Sequence, residues 1–347
     1  MSQSKLNVAV IFGGRSAEHE VSLLSAANVM AAIPSRRYSV IPVGIRKDGS
    51  FVQYRGTDRI LNATDARKVR LSSGGKSVTL FSDARSRGLV TIVGSRTRTR
   101  VDVAFPVLHG TDGEDGSIQG VFRLAGIPFV GAGVEASAIG MDKDVTKRLW
   151  RDAGLPTADF VAFHSKDREA IRYRDVVRRL GTRFFVKPAS AGSSVGVHKV
   201  VGEKTFSSAL DDAFAYGEKV LCEKMVKGIE IECSILGNEK PEASLPGIVR
   251  PTHDFYSYEA KYIDECGADF EIPAKLPSAV ANKIRSIACD AYCVLGLEGM
   301  ARVDGFLTVD QSFVLNEVNT IPGFTAISMY PKCGKQAAFR FPSSLTV

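Results

Sequence analysis

The run "NVAVIF" (7–12) has the apolar density of a buried strand, and it gives way to the glycine-led turn "GGRSAEHE". "VSLLSAANVMAAI" follows, with apolar positions at helical spacing that stop before Pro34. "YSVIPVGI" predicts the next strand and "VDVAFPVLHG" a third. Strands interleaved with helices predict a mostly parallel sheet with helices on both faces. The glycine-punctuated "FVGAGVEASAIGMDKD" then leads into a helix, "DVTKRLWRDAGLP", which places a domain boundary near residue 135.

The pattern changes after that helix. "RFFVKP" and "VGVHKV" predict strands joined by "ASAGSS", and "KVLCEKMV" and "EIECSIL" predict two more. "SAVANKIRSIACDAYCVLG" is an amphipathic helix with apolar residues at 280, 284, 287, 291 and 295, Ser278 as its N-cap and Gly296 as its C-cap. Short loops between the strands predict a mixed or antiparallel sheet. The fold class expected is an α/β N-terminal domain followed by an α+β portion.

"GMARVDGFLTV" and "SFVLNEVNT" are strand patterns on either side of Asp310 and Gln311. A hairpin centred between those two residues sets Asp304 opposite Glu317 and Arg302 opposite Asn319. Alternation puts all four side chains on one face. Two opposed carboxylates, with roots roughly 5 Å apart, repel unless something positive lies between them. Arg302 on a solvated face is one answer. A divalent cation is the other: carboxylate and amide oxygens suit magnesium, which completes its shell with substrate phosphates. The second answer points to nucleotide-dependent phosphoryl chemistry.

"KPASAGSSVGV" (187–197) is a loop of small residues between two strands, and it lacks the GxxxxGK[ST] of a Walker A loop. Its N–H groups and hydroxyls suit a flap over phosphates, although a plain β-turn uses the same residues. Lys143 and Lys187 can grip phosphate as point charges. Glu223 and Glu230, after an apolar strand, offer acceptors for an adenine amino group or ribose hydroxyls. Together these residues outline a nucleotide cleft.

Length sharpens the picture, because 347 residues exceed what most single cores fill, so two or three domains are expected. The net charge of +7 suits either nucleic acid or acidic small molecules. "SRTRTR" (95–100) lacks interleaved aromatics and fits a solvated edge strand or loop better than a nucleic-acid surface. Six cysteines without CxxC spacing suggest neither a zinc site nor a disulfide framework; Cys289 and Cys293 fit core-edge thiols. "VAVIF" is too short for a signal core or a membrane span, so a cytoplasmic protein with no membrane partner is expected.

"IFGGRSAEHEVSLLSA", "VLHGTDGEDGSIQG", "MDKDVTKRL", "KPASAGSSVGV", "YEAKYI" and "MARVDGFLTVDQSFVLNEVNTIPGFTAISMYPK" occur in that order over residues 6 to 332. In combination they resemble the D-alanine:D-alanine ligase family of the ATP-grasp superfamily. The resemblance implies an N-terminal α/β domain (1–134) and an ATP-grasp fold of central (135–222) and C-terminal (223–332) lobes, with ATP between the last two. It implies that Asp304, Glu317 and Asn319 bind two Mg2+ ions, with Mn2+ as a substitute, and that Glu317 bridges them. Lys143, Lys187, Glu223 and Glu230 would hold ATP, Lys224 would contribute at the adenine, and Lys261 would reach the phosphates from the "YSYEAKYI" loop. Glu18 would receive the ammonium of the first D-alanine, sealed in by Ser193 and Tyr262. Arg302 and the Gly323 N–H would stabilise the tetrahedral oxyanion, and Ser328 would hold the carboxylate of the second D-alanine.

The implied reaction is ATP-dependent formation of D-alanyl-D-alanine, a peptidoglycan precursor, through an acyl phosphate. It needs no enzyme nucleophile, and no GxSxG elbow surrounds Ser193 or Ser194. "EAKY" resembles the dipeptide-forming rather than the depsipeptide-forming type. A homodimer without nucleic acid is implied as well. Past Lys332, "CGKQAAFRFPSSLTV" shows no helical period where the family continues into a helix, so an atypical tail (333–347), from a truncated or shifted reading frame, is expected. Two alternatives stay open: a binding module without catalysis, and another ATP-grasp carboxylate-amine ligase that does not need Glu18, Ser193 and Tyr262.

Overall fold

The structure, a computed structural model, describes residues 5–56, 60–63, 65, 67–81, 89–92, 98–251 and 268–336. Its first sheet is built on β1 (Leu6–Gly13), whose neighbours β2 (Tyr38–Ile45) and β9 (Val103–Val107) run parallel to it. Alternation along β1 gives each face its own core. Val8, Val10 and Phe12 pack on Leu23, Ala26 and Val29 of α1 (His19–Ala32), while Ala9 and Ile11 meet Ile118 and Phe122 of α2 (Ser117–Leu124).

The expectation of a mostly parallel sheet fails beyond this centre. β3 (Phe51–Gln53), β6 (Lys76–Phe81), β7 (Leu89–Ile92) and β8 (Arg98–Arg100) extend the sheet outward from β2 in antiparallel pairs. The cause is local: the turn 46–50, closed by Gly49 N–H to Arg46 O at 2.9 Å, is too short for a crossover. β4 (Ile60–Leu61) and β5 (Arg70–Leu71) form a separate ribbon. β8, from the arginine-rich segment, stands at one edge of the sheet.

α3 (Val134–Met141) and α4 (Lys143–Asp152) follow, separated by Asp142, whose side chain caps α4 by accepting from the N–H groups of Asp144 and Val145. The second sheet contains β10 (Phe160–His164), β11 (Phe184–Pro188), β12 (His198–Val200) and β13 (Lys219–Lys224), all antiparallel, in the order β10-β13-β11-β12. One face of this sheet is apolar: Phe184, Val186, Val220 and Cys222 bury against α5 (Tyr173–Leu180) and α6 (Glu203–Phe214). Alternation turns Phe185, Lys187, Leu221 and Glu223 to the other face.

The third sheet comprises β14 (Gly228–Leu236), β15 (Glu242–Ala243), β16 (Gly247–Pro251), β17 (Ala268–Glu271), β18 (Met300–Thr308) and β19 (Phe313–Asn319), again antiparallel. The helix Ser278–Val294 covers one face with Val280, Ile284, Ala288, Ala291 and Tyr292. Its start differs from expectation: Pro277 is the N-cap and Ser278 the first helical residue, with the Pro277 carbonyl accepting from Ala281 N–H at 3.0 Å. Its end is a Schellman motif, in which Gly296, at φ +63°, follows the C-cap Leu295 and donates to Cys293 O while Leu297 donates to Tyr292 O.

α4 joins this third core although it precedes the second sheet in the chain. Trp150 is wholly buried there and its Nε1 donates to Ala291 O at 2.9 Å. β13 runs across the 222/223 boundary expected from the sequence. Residues 333–336, for which no helical period was expected, belong to the last helix, Met329–Gln336, which buries Cys333 with Met329 against Val249 and Ala268; residues 337–347 lie outside the described residues. Among the described residues no helix is long and apolar enough to cross a membrane.

Candidate active site

The β18–β19 hairpin pairs Asp304 with Glu317 and Arg302 with Asn319, but by a different route from the one expected. The turn closes as a three-residue loop, with Gln311 at φ +62° and Thr308 N–H donating to Ser312 O at 3.0 Å, which pairs Leu307 with Phe313 and Gly305 with Leu315. A register shift between Asp304 and Gly305 then restores the pairing at the site, leaving Asn316 as the extra residue. The bulge directs the Asn316 amide to Lys187, whose Nζ donates to Asn316 Oδ1 at 3.3 Å.

The acidic face is already balanced by cations. Arg302 donates to both oxygens of Asp304, at 2.8 and 2.7 Å, and its Nε lies 2.9 Å from Glu232 Oε2 on β14. Asn319 Nδ2 donates to Asp304 Oδ2 at 2.9 Å, and Lys143 Nζ lies 3.3 Å from Glu317 Oε2. Glu230 shares this face, two residues from Glu232, with Phe306 opposite it on β18. Two carboxylates and an amide are hard oxygen donors that fit Mg2+. Among the described residues no group of three or more His, Cys, Asp or Glu is placed to hold a metal.

The flap between β11 and β12 meets the N-terminal domain at its tip. Ser193 Oγ donates to Glu18 Oε1, and Ser193 and Ser194 both hold the left-handed conformation, at φ +51° and +60°. Non-glycine residues pay strain there, and such strain gathers at functional loops. Glu18, the N-cap of α1, is buried between two glycines. A Cβ on Gly110 would sit 2.5 Å from Glu18 Oε2, and one on Gly192 would sit 2.9 Å from the same atom. The cleft beside this contact is lined by Glu114, Lys143, Gly192, Glu317, Asn319 and Thr320.

A buried ionic chain lies on the cleft side of the second sheet. Lys187 Nζ is 3.1 Å from Glu223 Oε1, and Lys147 Nζ, on the wholly buried Lys147 of α4, is 2.9 Å from Glu223 Oε2. Burial pulls the Lys147 ammonium down to about 8 against the raising pull of Glu223. Burial pushes the Glu223 carboxyl up, but Lys147 and Lys187 outweigh it and hold the group below its ordinary range. Lys224, next in the chain, is exposed and meets Asp159 at 3.5 Å.

The loop after β19 is pinned to the N-terminal domain. Glu114 accepts from Ile321 N–H at 2.8 Å and from Gly110 N–H at 2.9 Å. Burial first and the charge of Glu18 second raise its carboxyl to about 7. His109 contacts Ile321 O through Nδ1 and Ser25 Oγ through Nε2, and Ser25 Oγ also accepts from Phe324 N–H at 3.0 Å. Within this loop Gly323 and Ser328 adjoin: a Cβ on Gly323 would lie 2.8 Å from Ser328 Oγ, which is bonded to Thr325.

Comparison with known proteins is consistent along the whole chain. Residues 7–132 match the family model described as D-ala D-ala ligase N-terminus, and residues 149–346 match that described as D-ala D-ala ligase C-terminus. The chain belongs to the D-alanine–D-alanine ligase family. It is 49% identical over 337 residues to the D-alanine–D-alanine ligase of Oceanobacillus iheyensis, covering 97% of this chain and 92% of that one. It is 47% identical over 342 residues to D-alanine–D-alanine ligase A of Escherichia coli K12, covering 99% and 94%. The VanG D-Ala:D-Ser ligase structure from Enterococcus faecalis superimposes with a TM-score of 0.83 at 35% identity, covering 96% of this chain and 95% of that one. The Coxiella burnetii D-alanine–D-alanine ligase structure gives 0.83 at 33% identity, covering 96% and 90%. The architecture is the ATP-grasp fold of these ligases, an α/β domain followed by two α+β lobes.

In this family member the structure brings Glu18 to Ser193, Lys143 to Glu317, Lys187 to Glu223, and both Arg302 and Asn319 to Asp304. Lys224 stands apart from the Lys187–Glu223 pair. Lys261 and Tyr262 lie outside the described residues. Sequence reasoning missed Lys147, Glu114, Glu232 and Asn316. Lys147 carried a signal, since it is one helical turn from Lys143 and so shares its face. Asn316 carried none, because a bulge leaves no local pattern.

Proposed function

We propose that this protein joins two D-alanines into D-alanyl-D-alanine with hydrolysis of ATP to ADP and phosphate, supplying a peptidoglycan precursor. The observation that carries this reading is one cleft lined by Lys143, Gly192, Glu317 and Asn319, with Glu18 of the N-terminal domain held by Ser193 at the flap tip beside it and Asp304 facing Glu317. An amino-acid ammonium and a triphosphate would meet there.

A carboxylate is a poor electrophile because its leaving group would be oxide, so the γ-phosphoryl group is first passed to the carboxylate of the first D-alanine as an acyl phosphate. Glu18 receives that substrate's ammonium, with Ser193 and Tyr262 sealing the site. Lys143, Lys187 and Lys261 neutralise the phosphates, and Glu223, Lys224 and Glu230 hold the nucleoside. Magnesium, or manganese in its place, would be held as two ions by Asp304, Glu317 and Asn319 and would offset charge on the phosphoryl oxygens. Ser328 orients the carboxylate of the second D-alanine, whose amine attacks the acyl phosphate, and Arg302 with the Gly323 N–H steadies the oxyanion as phosphate leaves. The adjoining of Gly323 and Ser328 supports this pairing of roles.

A cytoplasmic homodimer belongs to the same reading, and light scattering on the purified protein checks its mass. The reaction is tested by phosphate release with magnesium, ATP and either D-alanine, L-alanine or D-lactate. Release with D-alanine alone, accompanied by the dipeptide, is expected. Nucleotide binding without release would leave a binding module, and release with L-alanine would point to a different carboxylate-amine ligase.

A further inference from the structure

Lys147 has no place in the reaction above, yet it is a wholly buried cation. Burying an ammonium is costly, and an apolar side chain of similar volume would fill the same space at lower cost. Its only ion-pair partner among the described residues is Glu223, at 2.9 Å; its other polar contact is Leu315 O, at 3.5 Å. Lys187 serves the opposite oxygen of the same carboxylate at 3.1 Å, but it also donates to Asn316. Two ammonium groups thus flank one carboxylate, and among the described residues Lys147 makes no other ion pair.

A carboxylate held in this way stays ionised, and an ionised carboxylate accepts hydrogen bonds but donates none. Its four lone-pair directions exceed what two lysines occupy, so acceptor capacity remains for a ligand. Presented to a purine, such a group matches an exocyclic amino group and repels a carbonyl oxygen. Without the flanking cation, the buried carboxyl is free to protonate or to turn, and then it can donate to a carbonyl.

We propose that Lys147 is a positioning residue for purine selection, fixing Glu223 as an acceptor-only carboxylate so that the site favours a base with a 6-amino group over one with a 6-carbonyl. This rests on the reading that Glu223 faces the nucleotide base.

The test compares ATP with inosine triphosphate, which carries a carbonyl at the six-position, in the D-alanine-dependent phosphate assay on the full chain. Lys147→Met should raise the KM for ATP about tenfold or more, the scale of one charge-assisted hydrogen bond, with a smaller change in kcat. The decisive readout is the ratio of kcat/KM for ATP to that for inosine triphosphate, which should fall at least about tenfold. Lys147→Gln, which keeps a donor to Glu223 without the charge, provides a second variant should the methionine protein fail to fold, and it should lower the ratio as well. Glu223→Gln is measured in parallel, since its amide can donate to a carbonyl and should lower the ratio by itself. An unchanged ratio in a folded Lys147 variant, with the ratio lowered in Glu223→Gln, would overturn the role of Lys147 and leave Glu223 at the base. An unchanged ratio in Glu223→Gln would overturn both.

Discussion

Alanine at Gly192 separates catalysis from stability. Gly192 does not occupy the left-handed region, so an L side chain costs no backbone strain there; the added Cβ, however, falls 2.9 Å from Glu18 Oε2. Ordinary contact begins at 3.4 Å, so the carboxylate or the flap must give way by about half an ångström. Glu18 can retreat because its carboxylate is the far end of a flexible side chain. Retreat stretches its bond from Ser193, one residue away on the flap, and moves it from where an ammonium would be received. Losing one charge-assisted hydrogen bond in full costs about 1.5–3 kcal/mol, and partial loss about 1.4 kcal/mol, which is tenfold. Gly192→Ala should therefore lower kcat/KM for D-alanine about tenfold, and no more than about 100-fold, while Tm falls by less than about 3 °C. Initial-rate phosphate assays across D-alanine concentrations, with a thermal melt of the same preparation, read both quantities. Unchanged kcat/KM for D-alanine would mean that the flap contact does not shape the amino-acid site. A fall of 8 °C or so in Tm would mean that the contact is structural.

Further tests address other parts of the cleft. Glu317→Gln removes the carboxylate facing both Asp304 and Lys143 and should cut turnover by about 100-fold or more, with half-saturation moved to higher magnesium; wild-type rates at ordinary magnesium would remove Glu317 from the site. The pH dependence of stability should carry the mark of Glu114, whose carboxyl rises from its ordinary 4.5 to about 7 in the folded protein. Between those values the folded chain keeps a proton that the unfolded chain has lost, so this group's contribution is full below pH 4.5 and is lost as pH rises through about 7. Glu114→Gln should flatten the decline of Tm across that window, and parallel curves for the two proteins would contradict it.

The acidic face was legible in the sequence for a reason that did not depend on getting the turn right. Side-chain direction alternates with a period of two, so any register that keeps Asp304 against Glu317 also keeps Arg302 against Asn319. The turn itself was misplaced by one position, and the bulge at Asn316 cancelled the difference. The outer strands of the first sheet were harder to see: Phe51–Gln53 is three residues long and Arg98–Arg100 is polar, so neither shows the buried run that marks β1. Long-range polar partners were the least legible. Lys147 sits in the charged stretch "KDVTKRLWRD" and looks like a solvated helix position, and Glu114 sits in "GTDGEDG" and looks like loop. Each is defined by a contact with a strand or loop far away in the chain, Glu223 in one case and Ile321 in the other. Residues 333–336 were misread for a related reason. The helix through Gln336 rests on burial of Cys333 and Met329 against the third sheet, not on periodicity of its own.

The central claim is that opposed acidic groups on a paired-strand face direct a phosphoryl group onto an amino-acid carboxylate. D-alanine labelled with 18O in its carboxyl group, incubated with the protein, magnesium and ATP, tests it in one mass spectrum. One labelled oxygen should appear in the released phosphate for each dipeptide formed, because the acyl phosphate passes a carboxyl oxygen to phosphorus before the amine displaces it. Dipeptide formed with unlabelled phosphate, or phosphate released without D-alanine, would contradict the account.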